Sequence, residues 1–207
     1  MGAVTQLRTS PKNLTSLFDF AFFGPFCGLF TSLVFLVTGM QSTLLADTDA
    51  AQYFPHLPVN VLQMSTLGGS IVDFFYGGNG MITMQSAAST VPLHPLAIAG
   101  FCGIVINSLE MLPLGSSDGG RLSQALFGRS THAIVGGATW FSLLVSSFLL
   151  DQQEVLIGAW VVFNLVQNDM ELPCRDEVDK VNIPRSLAAF FLWFVAILAI
   201  TPMGISV

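Results

Sequence analysis

Apolar residues gather into long runs at 17–37, 93–114, 132–150 and 187–202, with a shorter run at 155–166. Crossing a bilayer takes roughly 17–25 mainly apolar residues, and fewer where the membrane thins or polar flanks snorkel, so the pattern predicts five transmembrane helices. The first run carries Gly24-Pro25 and Gly28. A proline there removes a helix hydrogen bond and predicts a kink, while small residues beside it let a neighbour approach closely. The 40–92 stretch is too long for a simple hairpin. Within it, 59–75 reads as one short helix, interfacial or re-entrant, weakened in its middle by Gly68-Gly69. Pro92 and Pro95 set the start of the second span, and the acidic, proline-punctuated 168–184 segment reads as a surface loop. The expected fold is all-α: one polytopic membrane domain over 1–207, with about five transmembrane helices plus one interfacial or re-entrant helix.

Composition points the same way. The chain is 52% hydrophobic and 10% charged, with a mean hydropathy of +0.68, which leaves too little polar surface for a water-soluble domain of this size. Residues 1–12 hold no apolar core of a secretory signal peptide.

The few charges set an expected orientation. Arg8 and Lys12 precede span one, Arg121 and Arg129 follow span two, and Arg175, Lys180 and Arg185 lie between spans four and five. All seven then fall on one side of the membrane. The opposite loops carry Asp47, Asp49, Asp73, Asp151 and Glu154 without Lys or Arg. The positive-inside rule therefore predicts the N-terminus in the cytosol or its equivalent, such as the stroma, and the C-terminus opposite. A net charge of −6 without a basic stripe argues against a nucleic-acid partner.

Candidate chemistry is sparse. Cys27, Cys102 and Cys174 lack C-x-x-C spacing, and the first two lie inside apolar runs. His56, His94 and His132 are far apart, with no i,i+4 pair, and read as interfacial or helix-end residues rather than metal ligands. Eighteen phenylalanines suit lipid-facing surfaces, and pigment contacts are a second use for them. The Asn13-Leu14-Thr15 sequon falls on the expected inner side and is discounted as a glycosylation site. Asp118 stands where an apolar run gives way to Gly119-Gly120. It reads either as a metal ligand or substrate-polarising group at membrane depth, or as an ordinary N-cap of a helix over 119–127. Glu110 shares a helix face with Asn107 and reads either as part of a polar cavity or as a structural carboxylate.

Short segments in order along the chain resemble the site-2 protease family of intramembrane zinc proteases, specifically its plastid and cyanobacterial branch named for ethylene-dependent gravitropism-deficient and yellow-green mutants. They are Gly2-Ala3-Val4-Thr5-Gln6, Leu17-Phe18-Asp19-Phe20-Ala21 with Gly24-Pro25, Phe54-Pro55-His56-Leu57-Pro58-Val59, His94-Pro95-Leu96-Ala97-Ile98-Ala99-Gly100, and Pro173-Cys174 with Asp176. In active members two histidines of H-E-x-x-H and the aspartate of N-x-x-P-x-G-x-x-D-G-G hold zinc, and the glutamate of the first motif activates water. The resemblance maps Asp118 onto the third ligand and Pro113, Gly115, Gly119 and Gly120 onto the fixed points, with Glu110 where the family has asparagine. No H-E-x-x-H occurs in the 207 residues. What the resemblance implies is a vestigial motif with no catalytic residue and no metal of its own, Asp118 serving as a ligand only if the missing half is supplied. The implied role is a catalytically inactive structural or assembly subunit of a larger thylakoid or inner-envelope complex, a photosystem among the hosts, with lipids and other membrane subunits as partners. The alternative is a zinc metalloprotease whose H-E-x-x-H part lies upstream or on another chain.

Overall fold

The computed structural model describes residues 9–47, 51–78, 80, 82, 89–149, 172–178 and 180–203. Six helices and one small sheet appear among them. Helix α1 spans Leu14–Leu45, 32 residues, and continues through Pro25. Asn13 starts it: its Oδ1 accepts the Ser16 backbone N–H at 2.9 Å and the Ser16 hydroxyl at 2.7 Å, which supplies a helix N-terminus with one of its missing acceptors. The hydroxyls inside this apolar helix turn back on their own chain: Ser32 donates to the Gly28 carbonyl at 2.7 Å and Thr38 to the Val34 carbonyl at 2.7 Å.

The chain divides into two compact units, residues 1–26 with 110–194, and residues 27–109 with 195–207. In the second unit, β1 (His56–Pro58) pairs antiparallel with β2 (Thr90–Pro92), placing Leu57 opposite Val91. This sheet departs from an all-α fold. Proline supplies the physical reason, because Pro55, Pro58, Pro92 and Pro95 hold their neighbourhoods out of the helical region. The single helix expected over 59–75 is two: α2 (Val59–Gln63) and α3 (Thr66–Phe75). The break falls at Met64-Ser65, where the Ser65 hydroxyl caps α3 by accepting the Gly68 N–H at 3.0 Å. Gly68 and Gly69 are helical and buried, Gly68 lying under the Phe101 ring. Backbone bonds from Thr66 N to the Thr201 carbonyl (2.7 Å) and from Met203 N to the Gln63 carbonyl (2.8 Å) tie this region to the chain beyond residue 200.

Helix α4 (Pro95–Glu110) crosses the second part of α1 through small residues. A Cβ on Gly39 would run into the Ala97 backbone, one on Gly100 into the Leu36 backbone, and one on Gly103 into the Ser32 side chain. This is backbone-to-backbone packing of the kind that lets dispersion hold helices together in lipid. In the first unit lie helix α5 (Asp118–Leu149) and most of α6 (Ile183–Ile200). Gly128 breaks α5 at φ 79°, ψ 170°, a backbone that glycine adopts without strain.

By length and apolarity α1 and α6 qualify as membrane-crossing helices. Helix α4 has 16 residues, shorter than the 93–114 run suggested. The 155–166 run lies outside the described residues.

Candidate functional site

The 110–121 segment leaves α4 at Glu110 and enters α5 at Asp118 through a tight turn. Leu114 N donates to the Leu112 carbonyl at 2.7 Å and Ser117 N to the Leu114 carbonyl at 3.1 Å. Gly115 has a positive φ of 49°. The Ser117 hydroxyl reaches the Leu112 and Leu114 carbonyls at 2.9 and 2.7 Å and accepts the Gly120 N–H at 3.1 Å. Ser117, not Asp118, is therefore the side chain that caps α5; Asp118 is the first residue of the helix. The N-cap role considered for Asp118 is corrected accordingly.

The double glycine is demanded by space. A Cβ on Gly119 would collide with the Met111 carbonyl and one on Gly120 with the Gly115 carbonyl, so the first turn of α5 lies directly on the backbone of the preceding turn. Several neighbours hold that turn. Trp193 of α6 donates its indole N–H to the Met111 carbonyl at 2.8 Å, and Phe127 stacks on the same indole. Beyond the Gly128 break, α5 packs against the turn: Leu114 and Leu143 form a buried cluster with Leu112 and Trp140, Gly136 faces the Pro113 carbonyl, and the His132 ring lies near the Gly115 backbone.

Asp118 is held in this frame with a 20% exposed side chain. Its Oδ2 faces Gly24 of α1, 3.5 Å from where a Cβ would stand. Its Oδ1 lies 3.3 Å from Nη1 of Arg121, one helical turn on. Arg121 is 2% exposed and lies over the Phe20 ring at 5.7 Å. Glu110 is half-buried in the same unit, and its carboxylate and that of Asp118 repel. The turn thus unites Glu110, Pro113, Gly115, Asp118, Gly119 and Gly120 as the sequence suggested. Asn107 belongs elsewhere: its Nδ2 donates to the Gly103 carbonyl at 2.7 Å, and its side chain fills the space over Gly28.

Two residues were missed or misread. Arg121 was counted only among the basic residues of one membrane side, and it is the largest fully buried side chain described; its i,i+3 spacing from Asp118 was the available signal. His132 was expected at an interface and instead touches the Gly115 loop, which nothing in its sequence neighbourhood announces. His56 lies in β1, and His94 packs edge-on to Phe54.

Zinc in the family's manner needs three protein ligands. Among the described residues no group of three or more His, Cys, Asp or Glu could hold a metal ion, and Asp118 already faces a guanidinium. The described donor set does not fit zinc.

A glycine-seated carboxylate turn thus sits in a mostly helical chain with two apolar helices of membrane-crossing length. The model for Peptidase family M50 matches residues 1–150, and the chain belongs to that family, whose members are membrane-embedded. It is similar to "Probable zinc metalloprotease EGY1, chloroplastic" of Oryza sativa subsp. japonica, 31% identical over 98% of this chain and 33% of the relative. It is also similar to the protein of the same name in Arabidopsis thaliana, 29% identical over 98% of this chain and 35% of the relative. "Probable zinc metalloprotease EGY2, chloroplastic" of Arabidopsis thaliana is 23% identical over 97% of this chain and 34% of the relative. The chain thus spans about a third of the length of these relatives. No solved structure matches.

Proposed function

We propose that this chain is an M50-family membrane protein that does not itself hydrolyse peptides and serves as a structural or assembly subunit of a larger complex in a chloroplast membrane, thylakoid or inner envelope. The observation that carries this reading is the Asp118–Arg121 pair at 3.3 Å. The carboxylate at the family's third-ligand position has a buried cation beside it, and Glu110 adds a negative charge where the family has an amide. The subunit role rests on the outward apolar face of α6, where Phe191 is 67% and Phe194 58% exposed; in lipid such faces associate by dispersion and close packing. The chloroplast setting comes from the printed names of the relatives. The proposed topology keeps five spans, with the basic residues and the N-terminus on the stromal side and the C-terminus opposite.

A second reading, a metalloprotease whose H-E-x-x-H half lies upstream or on another chain, is favoured by the intact turn: Gly119 and Gly120 still seat Asp118 facing Gly24. Purifying the chain with its associated subunits from its native membrane separates the two. Under the first reading Asp118→Asn leaves the associated subunits unchanged and Phe191→Ala with Phe194→Ala depletes them. Loss of cleavage of a membrane substrate in Asp118→Asn, with assembly intact, would establish the second.

A further inference from the structure

The backbone joins two segments from opposite ends of the sequence just before α1 begins. Arg175 N donates to the Pro11 carbonyl at 2.9 Å, Asp176 N donates to the Lys12 carbonyl at 3.1 Å, and Asn13 bridges Asp176 in parallel. The result places Lys12 and Arg175 on the wall of one cavity of about 340 Å³, with the Thr9 and Ser10 hydroxyls beside them and Leu17 and Phe20 as its apolar side. Positive charge from both residues at one cavity attracts an anion, and two neighbouring carboxylates are already engaged, Asp19 by Arg185 at 2.9 Å and Glu177 by Arg129 at 3.2 Å. Arg121, Arg129 and Arg185 each have a carboxylate partner, whereas neither Lys12 nor Arg175 has an ion-pair partner among the described residues.

We propose that this cavity binds a tetrahedral oxyanion of phosphate or sulfate type, such as an anionic lipid headgroup carries or as occurs free in solution. The chemistry fits the walls: Arg175 offers a planar fork for two oxygens and Lys12 a compact charge, and the hydroxyls supply further donors. Its place favours the lipid source. Lys12 stands two residues before a 32-residue apolar helix, where cationic side chains reach the headgroup layer, and the exposed Phe20 ring gives an acyl chain somewhere to lie. This inference does not depend on whether the chain cleaves peptides.

The test is calorimetric titration of the full chain in neutral detergent with dihexanoyl phosphatidylglycerol and, separately, with sodium phosphate. Lys12→Gln with Arg175→Gln, both at exposed side chains, should weaken binding roughly 30-fold, each single variant taking part of that loss. Arg129→Gln, which removes a charge away from the cavity, should leave it unchanged. Binding of the lipid with no competition from phosphate assigns a headgroup site, and equal competition assigns a free-anion site; either supports the proposal. Absence of binding by both probes, equal affinity in the double variant, or the same loss in Arg129→Gln would overturn it.

Discussion

The first and second parts of α1 meet two very different neighbourhoods. In one unit Gly24 faces a carboxylate, Asp118, which Gly119 and Gly120 seat on the preceding turn and which has a buried guanidinium beside it. In the other, Gly39, Gly100 and Gly103 let α1 and α4 approach to backbone contact with no charge at all. Both regions are built on close approach at glycine. They differ in what that geometry serves: at the α1–α4 crossing close approach is itself the stabilising interaction, while at the Asp118 turn it positions a polar group whose surroundings carry an arginine and an additional carboxylate. At both places a Cβ would meet backbone, on Gly119 the Met111 carbonyl and on Gly100 the Leu36 backbone, but only the Asp118 turn carries charge beside that contact.

That contrast predicts an order of effects. Arg121→Met should be the most destabilising change, roughly 3–5 kcal/mol and nearer the lower figure because Asp118 keeps some exposure. Combining it with Asp118→Leu should recover most of the loss, measured by denaturant titration in mixed micelles. For the same reason Asp118→Ala should cost more than a helix cap, since it removes the carboxylate beside a buried guanidinium. Next come the glycines: Gly119→Ala in one unit and Gly100→Ala in the other should each cost about 1–3 kcal/mol or more, because the obstacle is backbone. Gly137→Ala, with nothing within 4 Å of its Cβ position, should instead stabilise α5 by roughly 0.5–1 kcal/mol. Equal behaviour of Gly119→Ala and Gly137→Ala would remove the packing argument.

Smaller effects separate capping from charge. Ser117→Ala should cost about 0.5–2 kcal/mol, and Ser65→Ala a similar amount at α3. Arg185→Gln should leave stability nearly unchanged, since both partners of the Arg185–Asp19 pair are some 40% exposed. Trp140 packs against Leu114 and Leu143. Phe141, 70% exposed, is the right probe of association, and Phe141→Ala should leave stability nearly unchanged while weakening assembly.

What the sequence revealed and what it hid follow from the range of the interactions. Apolar length disclosed α1 and α6 because a membrane helix is a local property. The turn from Pro113 to Gly120 was legible because its constraints, a proline, a glycine at positive φ and a Gly-Gly seat, lie within a few residues of one another. The β1–β2 pairing was not, since three-residue strands separated by some thirty positions leave no periodicity. The split at Ser65 was missed because apolar character continues across it while the cap rests on a single hydroxyl. Arg121 lies over Phe20 of α1 and His132 near Gly115, neighbours that no short window around either residue contains.

The central claim is that the carboxylate at the third-ligand position answers to Arg121 rather than to zinc. The most direct measurement is the zinc content of the purified chain after dialysis against micromolar zinc, for the native sequence and for Asp118→Asn. The account predicts no stoichiometric zinc in either. Tightly bound zinc in the native chain that Asp118→Asn removes would contradict it.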